Sequence, residues 1–522
     1  MYLGAFCYIK AVKALDTLRL LGRKKIFTDC EEINRDNIAS VLGKAYAKHM
    51  QNVCEMQFLM DYERGEQPLQ RVKKVRPDID IRITSSLPNY IKKFKIGYNW
   101  GSPIMLVQRG NKELHSTDSN VDDSGISALN EVLKNGENVG YKDQCMAEFI
   151  EICGIGHRMV APKNFPDNIK DIPESLVDIY TLDSRFAFVV YFNGVGQKEA
   201  LGVTYAKRGT KNRFTCFTET TRYEVECGKV VGEYPNLLGM IPIVEYERSF
   251  DRTGCFERKI SEIDALNICV SDFANETAQH TQELWWGNDI DFPEDEKTGE
   301  AKKPKSGDWV LTYSSGNGQT LNPKIQPISS TFDRNATLSG INSQRTTILQ
   351  DCYVPIQYES SGGGSTGTAT DMASGWSAAE LDALQEQQMT ERGKRKELAL
   401  VLKAIQLVPS RVLPEDSPIR KVHVSDLELK FLRKKSVDMS IKANTFATLV
   451  SHGIHGRHAL EYIDAFSDCQ QTWNDSEEMI TAYQKSACVG TESTENESNS
   501  ASDTQNQIDN SPIIDGMTMG SN

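Results

Sequence analysis

The chain has 522 residues and a formal net charge of −13 at neutral pH. That length holds several domains, and the acidic balance excludes a general nucleic-acid coat, which needs an excess of Lys and Arg to displace counterions from phosphate. No segment has the roughly 18 uninterrupted apolar residues of a membrane-spanning helix.

From the N-terminus, Met1 to Lys25 is mildly basic and lacks the apolar run and small-residue cleavage site of a signal peptide. The twelve cysteines form no C-x-x-C pair. Cys153 and Cys269 lie in apolar contexts and read as reduced core thiols of a protein made in a cytoplasm. Asn37 to Tyr62 is predicted helical, with Ile38, Leu42, Tyr46, Met50, Val53 and Leu59 on or near one face. Gly65 to Arg82 is a proline-containing basic connector, and Leu87 to Lys95 begins a helix closed by Gly97 and Gly101. Lys142 to Ile152 is helical by pattern. Phe186–Phe192 and Ala200–Ala206 flank Asn193-Gly194-Val195-Gly196, a hairpin signal. Phe214–Phe217, Arg222–Glu226 and Ile241–Tyr246 are further strands.

Two long helical segments without cap signals follow, Phe256 to Trp286 and Phe332 to Pro355. In the first, Phe256, Ile260, Ile263, Val270 and Phe273 recur at helical spacing and form a packing stripe. At about 1.5 Å per residue the segment spans roughly 45 Å, more than most small domains need and well suited to a ring around a channel. Trp285 and Trp286 end this helix and pack it on the next region. The island Gly287 to Ser330 carries strands at Trp309–Tyr313 and Lys324–Ile328. A glycine-rich loop, Tyr358 to Asp371, precedes a helix from Ser377 to Val408, with Ser377 as N-cap and Glu380 completing a capping box. Val437–Val450 and Ala459–Phe466 are helical. Cys488 to Asn522 has six acids and no base and reads as a disordered tail.

Several short motifs occur in a fixed order: Leu59-Met-Asp-Tyr62, Gly65-Glu-Gln-Pro68, Arg76-Pro77 and Phe94-Lys-Ile-Gly97-Tyr-Asn-Trp-Gly101-Ser-Pro103. Ile241-Pro-Ile-Val-Glu245, Phe256-Glu257, Ile263-Asp-Ala265 and Val424-Ser-Asp426-Leu-Glu-Leu-Lys-Phe431 follow. Taken with the helix–island–helix–loop–helix order, residues 30 to 487 resemble the portal proteins of tailed bacteriophages. The resemblance implies a mixed α+β, mainly helical fold with wing, stem, clip and crown, assembled as a homo-oligomeric ring of about twelve subunits at one capsid vertex of the virion. It divides the chain into an N-terminal segment 1–36, a wing 37–255, stem helices 256–286 and 331–356 around a clip 287–330, and a tunnel loop 357–374. A long wing helix with its connector at 375–424, a crown 425–487 and the acidic tail 488–522 complete it. The implied partners are double-stranded DNA passing through the channel, the terminase motor, the major capsid and scaffolding proteins, and a head-completion or tail adaptor. His452-Gly-Ile-His-Gly-Arg-His458 departs from the family pattern in lacking a Ser or Thr helix cap.

The chemistry agrees with a conduit. About twelve copies of this chain carry roughly −156 in charge and repel DNA on average. In the loop, Glu359 and Asp371 are the only charges, and Ser360, Ser361, Ser365, Thr366, Thr368 and Thr370 offer weak neutral contacts to phosphate. Gly362, Gly363 and Gly364 give it freedom; a plain flexible linker is the other reading. Lys302, Lys303 and Lys305, near Glu294, Asp295 and Glu296, form either a solvated surface or a docking site for an acidic partner. No cofactor or metal is implied: His452, His455 and His458 are interrupted by glycine and have no carboxylate motif. The Ser361 loop lacks Gly-Lys-Ser/Thr, Gly154-Ile-Gly156 lacks a third glycine, and Gly375-Trp-Ser377 lacks the closing glycine of a nucleophile elbow. A non-enzymatic portal is therefore expected, against the alternative of a terminase-like packaging enzyme.

Overall fold

A computed structural model describes residues 22–69, 78–108, 123–166, 173–208, 211–280, 284–288, 324–328, 333–356, 375–433 and 439–463, with 472, 473, 476 and 479. They fall into two units, divided between Lys434 and Lys435.

In the first unit, strand β1 (Ile26–Thr28) and helix α1 (Ile38–Glu63) precede helix α2 (Leu87–Asn99) and strand β2 (Met105–Gln108). Helix α3 (Asp123–Glu131) runs into a π turn, Val132–Gly136, followed by helix α4 (Val139–Cys153). Strands β3 (Ile155–Pro162), β4 (Val177–Leu182), β5 (Ala187–Phe192), β6 (Glu199–Arg208), β7 (Lys211–Phe217), β8 (Thr221–Glu226), β9 (Lys229–Pro235) and β10 (Ile243–Glu247) come next. A 3-10 turn, Glu257–Lys259, leads into helix α5 (Ile260–His280); strands β11 (Leu284–Asn288) and β12 (Lys324–Ile328), helices α6 (Arg334–Asp351) and α7 (Trp376–Gln406), and strand β13 (Leu427–Lys430) complete the unit.

A six-stranded sheet in the order β1-β5-β6-β7-β8-β9 is antiparallel except for β1 beside β5. Strand β5 is buried on both faces, and its period-2 alternation sorts its side chains. Phe188 and Val190 pack with Ile38, Leu42 and Ala45 of α1, while Val189 and Tyr191 pack with Ile241 and Ile243. A second sheet, β10-β3-β4, meets α4 and α7 in the largest core, around Met146, Ile150, Val160, Tyr246, Leu400, Val401 and Ile405. Strands β2 and β13 pair antiparallel and add Leu106, Leu427 and Leu429 to that core.

Gly154-Ile-Gly156 is the junction of α4 and β3. Gly154 closes the helix with φ 76°, and a Cβ there would lie 2.2 Å from the Arg252 carbonyl oxygen, so the stop needs glycine. Gly393 in α7 is a close approach of another kind, since its Cβ would sit 2.5 Å from ring atoms of buried Tyr246. Gly393→Ala is expected to cost about 1–3 kcal/mol through forced movement of that ring, less the gain in helix propensity. An unchanged denaturation midpoint would show that α7 can back away.

The expected helices, the 186–226 meander and the strand at Lys324–Ile328 lie where expected, most within a few residues, whereas helix α3 was not anticipated. Five expectations need correction. Trp285 and Trp286 are not at a helix end: they lie in β11, opposite Pro327 and Gln326, as bulky aromatic residues suit a pleated strand better than a helix terminus. Ser377 is exposed inside α7, which Gly375 caps without a side-chain hydrogen bond, and Glu380 bonds Tyr98 and Arg433 instead. Gly97 does not close α2 but lies within it. Helix α6 is capped, since Asp333 Oδ1 accepts from the amides of Asn335 and Ala336, both at 3.0 Å. Cys153 is buried as expected but Cys269 is exposed; the described cysteines are free thiols.

The second unit contains helices α8 (Met439–Ser451) and α9 (Gly456–Ile463). Residues 1–21, Trp309–Tyr313, the tunnel loop and the tail from 488 lie outside the described residues.

Candidate assembly and channel site

The base of the long-helix pair is an apolar cluster. Ile263 and Leu266 of α5, with Phe256 ahead of it, are buried against Ile348 and Leu349 of α6, Met56, Leu59 and Tyr62 of α1, and Ile91 of α2. Of the five stripe residues expected from spacing, Phe256 and Ile263 are completely buried. Ile260 and Val270 are half-buried against the same cluster, and Phe273 is half-buried outside it. Leu266 belongs to the face and was missed. Tyr62 stacks on Phe256 with ring centroids 6.1 Å apart, and its hydroxyl donates to Asp264 Oδ1 at 2.7 Å and to the Ile260 carbonyl at 3.2 Å. Burial pushes both the Tyr62 phenol and the Asp264 carboxyl up. Lys259 ties the two long helices, bonding Glu262 at 2.8 Å and Asp351 at 2.5 Å.

The opposite flank of α5 holds an extended strap, residues 78–85. The amide of Ser85 donates to Asn267 Oδ1 at 2.9 Å, that of Ile83 to Ser271 Oγ at 3.0 Å, and that of Ile81 to Asn275 Oδ1 at 2.8 Å. Asn275 Nδ2 donates back to the Ile81 carbonyl at 2.9 Å, and Gln67 Nε2 bonds the Ser85 carbonyl at 3.0 Å. The spacing explains the fit. Two extended residues advance about 6.7 Å and four helical residues about 6.0 Å, so alternate strap residues meet every fourth helix residue. Asn267, Ser271 and Asn275 are buried, and Asn267 falls in line with the apolar stripe, between Ile263 and Val270.

Lys95 is the link to the loop. Its ammonium, almost fully buried, bonds Asp382 Oδ2 at 2.6 Å and the Tyr353 carbonyl at 3.4 Å. It thereby joins the chain leaving α6 to the first turns of α7. Trp376 packs on Phe94 and Tyr98 of α2, with centroids 6.0 and 5.7 Å apart, and a Cβ on Gly375 would lie 3.9 Å from Pro355 Cα. The two ends of segment 357–374 therefore meet on α2.

Buried charges hold α7 in place behind that junction. Arg248 Nε bonds Glu151 at 3.0 Å and its Nη2 bonds Asp382 at 3.1 Å; Asn99 Nδ2 donates to Glu386 at 3.0 Å. Glu151 Oε1 is buried and receives no donor from the protein's fixed N–H groups. Burial, and the Glu151 carboxylate beside it, push Glu386 well up. One layer further in, Arg158 Nη1 bonds Asp143 at 2.5 Å and Glu397 at 3.0 Å, while Lys394 bonds the same two carboxylates at 2.7 and 3.3 Å.

The tunnel-loop residues and Lys302, Lys303 and Lys305 lie outside the described residues. His452 bonds the Thr448 carbonyl at 2.7 Å, and the His455 ring lies 5.0 Å from Trp473 and 6.1 Å from His458. Among the described residues no group of His, Cys, Asp or Glu is arranged to hold a metal, and no helix is long and apolar enough to cross a membrane.

A mixed α/β body with an antiparallel long-helix pair rooted in it is compatible with a portal fold. The family described as phage portal protein, SPP1 Gp6-like, matches residues 42–458, and the chain belongs to that family. Its members are structural head–tail connectors with a role in genome packaging; they are ring-forming and capsid-associated, and DNA passes through them. No curated protein matches the chain.

Proposed function

We propose that this chain is the subunit of a portal ring at the capsid vertex, through which double-stranded DNA is packaged and later ejected. The long-helix pair α5 and α6 is the stem, and residues 287–330 are the clip. Residues 357–374 are the tunnel loop, α7 is the helix behind it, and the segment after Lys434 contributes the crown. The clip, through Lys302, Lys303 and Lys305, docks the acidic surface of a terminase motor and then a tail adaptor. The subunit is made in the host cytoplasm and acts without catalysis.

The observation that carries this reading is the Lys95 junction. A loop whose two ends are held at one rigid point can move at its tip without disturbing the helices on either side. That is what a channel constriction needs if each copy is to yield as a helical duplex passes. Replacing Gly362, Gly363 and Gly364 with Ala removes positive-φ conformations from every copy. Rings are expected to assemble and enter capsids normally but package less DNA. Ser361→Lys adds about twelve charges around the duplex, and packaging should stall more strongly at low salt. The measurement is packaged DNA length per capsid; normal length in both variants would show that the loop does not face DNA.

A further inference from the structure

Between Ile81 and Ser85 the inner edge of the strap is hydrogen-bonded to α5, whereas the backbone groups of Arg82 and Thr84 have no hydrogen-bond partner among the described residues. In an extended chain successive backbone groups point to opposite edges, so Ile81, Ile83 and Ser85 face α5 while Arg82 and Thr84 present theirs outward. Ile81 and Ile83 also remain 40% and 36% exposed. The stripe that grips the inner edge, Asn267–Ser271–Asn275, has a counterpart on α6. Asn335, Ser339 and Ser343 repeat the same four-residue spacing with short polar side chains, and all three are exposed. Only Ile348 and Leu349 of α6 are buried. A helix that is polar nearly all round and touches so little of its own subunit is expected to have a cover.

The heights match. Asp351 lies beside Lys259, and Gln344 Nε2 bonds the Glu262 carbonyl at 3.5 Å. Stepping along the two antiparallel helices at equal rise brings Ser343, Ser339 and Asn335 level with the α5 turns around Asp264, Ile268 and Asp272. Those turns carry the strap from Ser85 to Ile81. On α5 the strap and α6 occupy different flanks, with exposed Ser261, Ala265, Cys269 and Asp272 between them. Asp80 on the strap is already paired with Arg82 at 2.9 Å, so spacing and height, not charge, carry the match. A contact that closes a ring joins two different surfaces of one subunit, and these two stand on opposite sides of α5.

Resting on the portal-ring reading, we propose that the outer edge of the strap at Arg82–Thr84 is received by the Asn335–Ser339–Ser343 stripe of a second copy of this chain, so that each strap is held between its own α5 and its neighbour's α6. The test uses the full chain carrying Ile83→Cys and Ser339→Cys, treated with a short bifunctional maleimide. A ladder of covalent multimers is expected from the double variant, and none beyond the wild-type background from either single variant. A second variant, Ser339→Arg with Ser343→Arg, changes only exposed positions. It should keep the wild-type melting temperature and lose rings in negative stain. Wild-type rings with no ladder, or rings that survive the double-arginine change, would overturn the strap interface and leave the portal reading standing. A wild-type chain that stays monomeric at every salt concentration would overturn both.

Discussion

Ile263→Asp is expected to destroy the folded subunit, not merely its assembly. Ile263 is completely buried inside one chain, where α1, α2, α5 and α6 converge. Removing its hydrocarbon costs about 2–5 kcal/mol. The carboxylate put in its place must either be desolvated among apolar side chains or take up a proton, and both add to the loss. Against a typical domain stability of about 5–15 kcal/mol, that is enough to populate unfolded chain at ambient temperature. The expected result is loss of the cooperative melt followed by circular dichroism, with aggregates on size exclusion. Ile263→Val, costing only about 0.5–1.5 kcal/mol, should melt cooperatively and form rings. A well-folded Ile263→Asp monomer that fails only to assemble would mean that the site opens to a neighbour and that the apolar base is an inter-subunit surface.

That outcome separates two meanings of the apolar stripe. Its period announces a buried face but not what buries it, and Phe256 and Ile263 are covered by their own chain. The parts of this protein that were legible in the sequence are those where period and burial agree. Helix α1, the 186–226 meander and helix α5 follow from apolar spacing and turn residues alone. Strand β3 went unseen because His157 and Arg158 interrupt its apolar run, yet both are completely buried. Arg158 is held by ion pairs from residues 143 and 397, a long-range arrangement that no local window contains. The same blindness applies to α7. Glu386, Lys394 and Glu397 are of residue types that ordinarily face water, but each is nearly fully buried. Asn267, Ser271 and Asn275 were not singled out because a stripe read from apolar residues alone passes over amides and hydroxyls that share its side of the helix. Their four-residue spacing opposite an extended segment was the available signal. Trp285 and Trp286 fail for a different reason, because a short apolar run has no period of its own and takes the state that tertiary pairing gives it.

The buried charges around Arg158 make the second large expectation. Arg158 and Lys394 face Asp143 and Glu397, so the group is neutral as a set, and the Tyr246 hydroxyl also donates to Glu397. Replacing Arg158 with Met leaves one uncompensated carboxylate in the core, with an expected cost of about 3–5 kcal/mol. Restoring neutrality should recover much of it: Arg158→Met with Glu397→Gln keeps Lys394 with Asp143 and still offers Tyr246 an acceptor. The double variant is therefore expected to be more stable than the single one.

The pH dependence gives this expectation its sign. In the wild type, burial pushes Glu397 up, but Arg158, Lys394 and the Tyr246 hydroxyl together outweigh it and lower its pKa from 4.5 to about 2. A carboxylate with a depressed folded pKa contributes stability that is present above pH 4.5 and is lost as pH falls towards 2. Without Arg158, burial regains weight and the folded pKa of Glu397 moves upward; once it passes 4.5, the contribution reverses and is lost as pH rises. The stability gap between wild type and Arg158→Met should therefore be wide at pH 7 and shrink on going to pH 3.5. Urea denaturation midpoints at the two pH values decide it. A gap equally wide at both would mean that Glu397 titrates alike in the two proteins, and that Arg158 acts through its packing and not through its charge.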